Sequence, residues 1–184
     1  IALSKNSYLG EYLGIEPSMG LLRFAENAVQ DPLHFSFKQG DFTSTGWQPG
    51  LAPGTADTVC AFAVLHHIPG EGMQKLFIQQ AAQALKPGGM LLLSVWQPRA
   101  SEKLTSRIVP WKSAGFDPAD FEYGDLLLDW RAEPFTEDVP LRYVREFNIE
   151  ELTDLGEQAG LTLQETFYSD GRQGNLALYQ VWQR

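Results

Sequence analysis

Two apolar runs of strand length, Ala56 to Leu65 and Met90 to Trp96, bracket one amphipathic stretch, and no other feature narrows the fold as far. Only Asp57 and Thr58 interrupt the first run. Between the two, Met73, Leu76, Phe77, Ala81, Ala84 and Leu85 recur at intervals of three and four, which predicts a helix with one buried face. Lys86-Pro87-Gly88-Gly89 then stops the helix and turns the chain into the second run. Strands that are apolar along their whole length suit a parallel sheet covered on both faces. Open sheets of that kind hold ligands at the carboxyl ends of their strands. Attention therefore falls on Phe62-Ala63-Val64, on the His66-His67 pair that follows, and on Trp96.

Upstream, Tyr12 to Ile15 reads as a strand ending in the carboxylate Glu16. Ser18 is placed to cap a helix whose stripe is Leu21, Leu22, Ala25, Ala28 and Val29, and Asp31-Pro32 ends it. Leu33 to Lys38 reads as a short strand leading into Gly40-Asp41-Phe42, and the Gly/Pro/Ser/Thr-rich stretch Thr43 to Gly54 as a loop. After Trp96 periodicity disappears, so residues 97–145 read as an irregular insertion on the substrate side. Order returns at Asn148, which forms a capping box with Glu151 ahead of the stripe Ile149, Leu152, Leu155 and Ala159. Gly160 is a natural stop, and Leu161 to Tyr168 with Asn175 to Trp182 read as an antiparallel pair of strands. No internal repeat or second domain is visible, so residues 1–184 read as a single α/β domain.

Composition closes off several classes. With 184 residues, 43% of them hydrophobic and 20% charged, the chain can bury an ordinary globular core. Its net charge of -9 repels nucleic acid over most of the surface and leaves only a local basic patch to attract it. Cys60 is the lone cysteine, so no disulfide framework exists; inside its apolar run it reads as a small core residue. Three histidines without metal-ligand spacing give no reason to expect a metal site. No apolar run approaches the ~20 residues of a membrane span, and no charged-then-apolar leader is visible, so a cytoplasmic protein is expected.

Taken in order, Glu16, Gly40-Asp41-Phe42, Leu65-His66-His67 and Lys86-Pro87-Gly88-Gly89 resemble the class I S-adenosylmethionine-dependent methyltransferases. The resemblance implies a doubly wound, Rossmann-like sheet, mostly parallel with an antiparallel C-terminal strand, and S-adenosyl-L-methionine as cofactor. It implies that Glu16 holds the ribose hydroxyls, with Ser18 and Met19 beside it, Met19 on the adenine face. Asp41 would accept from the adenine amino group and Phe42 would pack on the ring. Phe62, Ala63 and Val64 would floor the methionine half. Each role has a plain structural counterpart: a solvated strand end, a helix cap, a turn aspartate, a histidine that orders its loop. The family's glycine-rich loop and first strand are not found before Tyr12. The expectation is a natural protein with ~40 to 60 more residues at its front, the size of a strand–helix unit.

A narrower resemblance rests on Val109-Pro110-Trp111-Lys112, Arg142-Tyr143-Val144-Arg145-Glu146-Phe147 and the stretch Gly171 to Leu176. These segments look like the tRNA wobble-uridine carboxymethyl methyltransferases, with Val144 and Leu176 departing from the pattern. The acceptor so implied is the carboxymethyl group of a modified tRNA uridine. Arg99, Lys103, Arg107, Lys112, Arg131, Arg142 and Arg145, interleaved with Trp96 and Trp111, would suit a stacked, phosphate-bearing substrate. A carboxylate acceptor is ionised at neutral pH and needs no base; Arg142 or Arg145 would orient it. A hydroxyl or amine acceptor would call on His66 or His67 as a base. The alternatives are a small-molecule O- or N-methyltransferase, a nicotinamide-dependent oxidoreductase that uses Glu16 on its own ribose, and a catalytically inactive methyltransferase-fold subunit. A partner subunit is compatible with all of these.

Overall fold

The computed structural model describes residues 10–29, 34–47, 51–130 and 139–184, and the chain divides into two compact units, Ile1–Leu51 and Ala52–Arg184. The expected helix stop at Asp31-Pro32, the first residue of the next run, Leu33, loop residues 48–50 and Arg131 lie outside the described residues.

In the first unit, β1 (Tyr12–Glu16) and β2 (Phe35–Gln39) form a parallel pair, Tyr12 opposite Phe35 and Glu16 opposite Gln39. Helix α1 (Met19–Ala28) connects them, with Leu22 as its buried residue. The Ser18 hydroxyl accepts from Leu21 N–H at 3.4 Å, so the expected cap forms. Gly14 faces the Phe37 ring so closely that a Cβ there would lie 2.6 Å from Phe37 Cδ1. Glycine is what lets the Tyr12, Phe35 and Phe37 rings gather on this face of the pair.

The second unit is built on a four-stranded sheet of order β3-β4-β8-β7, with β3 (Ala56–Phe62), β4 (Leu85–Trp96), β7 (Thr162–Ser169) and β8 (Ala177–Gln183). β3 and β4 run parallel, joined through α2 (Glu71–Ala84), and β8 and β7 are antiparallel, as the sequence suggests. The helix-to-strand turn sits inside β4 as a bulge: pairing jumps from Ala56–Leu85 to Thr58–Met90, and Lys86 to Gly89 fill the gap. Among the described residues β1 pairs only with β2 and β3 only with β4, so each keeps one unpaired edge.

One face of this sheet carries the core. Ala61, Leu91, Leu93, Val95, Leu178 and Trp182 are buried against α2 and α3 (Ile149–Gln158). The two helices meet it with Phe77, Ile78, Ala81, Leu152 and Leu155. The Asn148–Glu151 capping box forms in both directions, at 2.8 and 3.0 Å. Gly156 on α3 lies over the Trp182 indole, and a Cβ there would stand 2.5 Å from the ring. The opposite face carries a row across all four strands, Phe62, Ser94, Tyr179 and Phe167, and Phe62 keeps 50% of its surface exposed.

The stretch read as irregular contains a further pair of strands. β5 (Asp125–Asp129) and β6 (Leu141–Arg145) are antiparallel, with Leu128 opposite Arg142 and Asp125 opposite Arg145. Leu126, Leu127 and Leu128 are all buried, so β5 shows none of the alternation that reveals a half-exposed strand. The rest of the insertion consists of short helical turns, including Trp111–Ala114.

Candidate active site

β3 ends in a strained residue. Ala63 has φ 55, a left-handed conformation that costs a non-glycine residue about 1 kcal/mol. Its N–H is held by both oxygens of Ser94, the carbonyl at 3.0 Å and the hydroxyl at 3.1 Å. Tyr179, opposite Ser94 on β8, donates its hydroxyl to Asp170 at 2.6 Å. The strained turn is thus braced from the neighbouring strand β4, and it delivers the chain straight into the short helical turn Leu65–His67.

The two histidines there are held in opposite tautomers. Trp96 N–H donates to His66 Nδ1 at 3.2 Å, so the His66 proton sits on Nε2, which is buried without a partner. The ring is fully buried and stacked on Trp96 at 5.0 Å. Burial pushes its pKa down to about 2, and the charges of His67 and Arg142 push the same way. His67 Nδ1 lies 3.0 Å from the Tyr143 carbonyl. A carbonyl oxygen only accepts, so Nδ1 carries the proton and Nε2 keeps its lone pair. Burial lowers the His67 pKa too, against the Tyr143 hydrogen bond and with the help of Arg142. Both rings are neutral at pH 7.

β6 brings two arginines with different surroundings. Arg145 is 7% exposed and tied to Glu122, to Asp125 at 3.6 Å and to Glu151 at 3.4 Å, over the ring of Phe147. Burial works against its charge, but the three carboxylates outweigh that and raise its pKa. Tyr143 joins the same cluster through a 2.6 Å bond to Asp125; its pKa rises through burial first and this bond second. The Arg142 guanidinium instead lies 3.5 Å above the Trp130 ring and has no carboxylate partner among the described residues. Burial lowers its pKa.

The structure therefore brings His66, His67, Trp96, Tyr143 and Arg142 together and leaves other expected members apart. Arg99 is bound to Glu146 at 3.1 Å. Trp111 is stacked on Phe121 at 3.5 Å, with Phe116 at the edges of both rings, a self-contained aromatic cluster. Trp130, Ser94 and Tyr179 were not singled out from the sequence. A tryptophan directly after the Leu126-Leu127-Leu128 run was the available signal for the first. Among the described residues no group of three or more His, Cys, Asp or Glu is placed to hold a metal, and no helix is long and apolar enough to cross a membrane.

In the first unit, Glu16 Oε1 accepts from Ser18 N–H at 2.9 Å, and its other oxygen has no partner among the described residues. Asp41 Oδ1 accepts from Thr43 N–H at 2.9 Å and from the Thr43 hydroxyl at 2.6 Å, which lowers its pKa and leaves Oδ2 open. Phe42 meets Trp47 edge-on at 5.5 Å, and Met19 is exposed. One acceptor oxygen thus stays open on each carboxylate, enough for a ribose hydroxyl at Glu16 and an adenine amino group at Asp41. These residues fit a nucleoside-bearing cofactor.

Comparison with known proteins identifies the family. A family model described as a methyltransferase domain matches residues 1–166. A S-adenosylmethionine-dependent methyltransferase from Methanosarcina mazei has a similar structure, with TM-score 0.71 at 20% identity over 100% of this chain and 85% of that one. A methyltransferase solved in complex with the Haloferax volcanii Trm112 activator is similar at TM-score 0.63 and 15% identity, over 99% of this chain and 75% of that one. In sequence, a tRNA (carboxymethyluridine(34)-5-O)-methyltransferase of Arabidopsis thaliana is 36% identical over 55 residues. That match spans 30% of this chain and 13% of the Arabidopsis protein.

Proposed function

The chain belongs to the methyltransferase-domain family, for which its solved relatives imply S-adenosylmethionine as cofactor, and from that premise we propose that it methylates the carboxymethyl group of a modified tRNA uridine. The observation that carries the reading is the braced end of β3, which runs directly into a neutral histidine pair beside Arg142. The Arabidopsis match supports the acceptor class.

When bound, the cofactor supplies an electrophilic methyl group on a sulfonium, open to in-line displacement. In this reading Glu16 takes the ribose hydroxyls with its free oxygen and Asp41 takes the adenine amino group. Phe42 and Met19 offer apolar contact to the base. Phe62, Ala63 and Val64 receive the methionine half. Because the acceptor carboxylate is already ionised at neutral pH, alignment and exclusion of water are the chain's main tasks. His67, fixed by Tyr143, accepts from an N–H or hydroxyl of the acceptor through Nε2. His66 holds the end of β4 through Trp96, and Arg145 holds the β5–β6 pair to α3; both act as positioning residues.

A second reading has one observation in its favour. The lone pair on His67 Nε2 could take the proton of a hydroxyl or amine, and the net charge of -9 suits a small acceptor better than a tRNA. A partner subunit belongs to the proposal as well, since a structural neighbour was solved with an activator. The test is transfer of labelled methyl from S-adenosylmethionine, with and without a Trm112-type protein. The substrates are tRNA bearing 5-carboxymethyluridine, tRNA lacking it, and a panel of small hydroxyl and amine acceptors. Label in the first tRNA alone supports the proposal; label only in small acceptors moves the function to the second reading. Absence of S-adenosylmethionine binding by calorimetry would sink both.

A further inference from the structure

Most charged side chains near the histidine pair are already matched. Glu146 takes Arg99, and Glu122, Asp125 and Glu151 take Arg145. Arg142 is the exception, with an indole under it and no carboxylate partner among the described residues. A half-buried cation without a counter-ion is a cost to the fold unless something returns the electrostatic energy. The indole returns part of it. Stacking also fixes the guanidinium plane and leaves its edge N–H donors free, the geometry that grips a carboxylate with two parallel hydrogen bonds. Trp130 lies at the end of β5, where its N–H is tied to the Pro140 carbonyl at 2.7 Å, and its side chain remains 38% exposed. The shelf is therefore held by backbone pairing and open to solvent at once. On a chain of net charge -9, a fixed cation that faces outward is a place where an anion gains what the rest of the surface denies it.

We infer that the Trp130–Arg142 stack is the acceptor-recognition site, and that it selects a planar ring bearing a carboxylate. The inference rests on the methyltransferase reading for the word acceptor, but not for the site itself. Arg142 grips the carboxylate and the exposed part of the indole takes the ring, and the Arg142 charge is felt at His67. Arg145 has no part in recognition, because it is buried and matched by three carboxylates.

The probe is 5-carboxymethyluridine, with 5-methyluridine as its neutral counterpart, titrated against the full chain by calorimetry. The wild-type chain should bind the carboxylate form about tenfold tighter or more. Arg142→Gln should remove that preference, and Arg142→Lys should restore only part of it, since an ammonium lacks the planar fork. Trp130→Leu should weaken both nucleosides. Lys86→Gln, a basic change at the start of β4 whose partner is Asp57, should alter neither. If Arg142→Gln fails to fold, the Arg142→Lys and Trp130→Leu pair still decides. Equal binding of the two nucleosides by the wild-type chain, or full preference retained without Arg142, overturns the inference. S-adenosylmethionine affinity is measured in parallel on every variant. Its loss in the wild type would remove the methyltransferase reading and leave the shelf standing. Its retention beside a failed shelf would remove the shelf alone.

Discussion

The two ends of β6 put the same side chain to opposite uses. At one end Arg145 is buried, matched by three carboxylates and over Phe147; at the other Arg142 stacks on an indole and has no acid to answer it among the described residues. Both are arginines on one short strand, and nothing in their own identity separates them. The difference comes from what the neighbouring elements bring. Glu122, Asp125 and Glu151 lie around one guanidinium, and Trp130 lies under the other, whose charge is felt at His66 and His67. A saturated cation fastens elements together. An unsaturated one is available to a ligand.

Removing each arginine in turn tests this contrast most strongly. Arg145→Met leaves acidic groups facing a buried space without their cation, and it should cost about 3 kcal/mol in urea unfolding. Arg142→Met should change stability by no more than about 0.5 kcal/mol. Equal losses from the two would erase the distinction.

The open end has a second signature, in pH. The folded pKa of His66 is near 2, well below the value of 6.5 it has when free. Between those values the unfolded chain binds a proton that the folded chain refuses. Stability is therefore complete above pH 6.5 and is lost progressively as pH falls toward 2, by about 1.4 kcal/mol per pH unit for this group. Unfolding at pH 5 should accordingly show a loss of about 2 kcal/mol relative to pH 7. His66→Asn, which keeps an acceptor for Trp96 N–H, should flatten the slope by about one proton. An unchanged slope would place the titrating group elsewhere.

The smallest expected effect isolates one contact at the closed end. Glu151→Gln preserves the capping box, since glutamine serves at that position, and removes only the charge facing Arg145. A loss of about 0.5 kcal/mol is expected from thermal unfolding. A loss several times larger would mean that Glu151, and not Glu122 or Asp125, does most of the holding.

These contrasts mark where the sequence could be read and where it could not. β3, α2 and β4 were visible because continuous apolar runs and a helical stripe are local patterns. The capping box at Asn148 was visible because its partners lie one turn apart. β5 was hidden because Leu126, Leu127 and Leu128 are buried together and do not alternate, and β6 because its two arginines around Tyr143 and Val144 read as part of a basic patch. The site followed the same rule. The histidine pair could be located from its place after β3. The tautomers could not, because they are set by Trp96 and Tyr143, residues brought in from other elements. Likewise no spacing rule assigns Arg142 to an indole and Arg145 to three acids; only pairing of β5 with β6 does so.

The contact between Gly156 and Trp182 reaches past this one chain. With no room for even a methyl group between helix α3 and the indole, the two positions amount to one inherited choice. Related sequences should exchange them jointly, a bulkier residue at the helix position appearing only with a smaller one at the strand. A lineage that changed either alone would have to shift the helix away from the sheet, and with it the Glu151 carboxylate that answers Arg145.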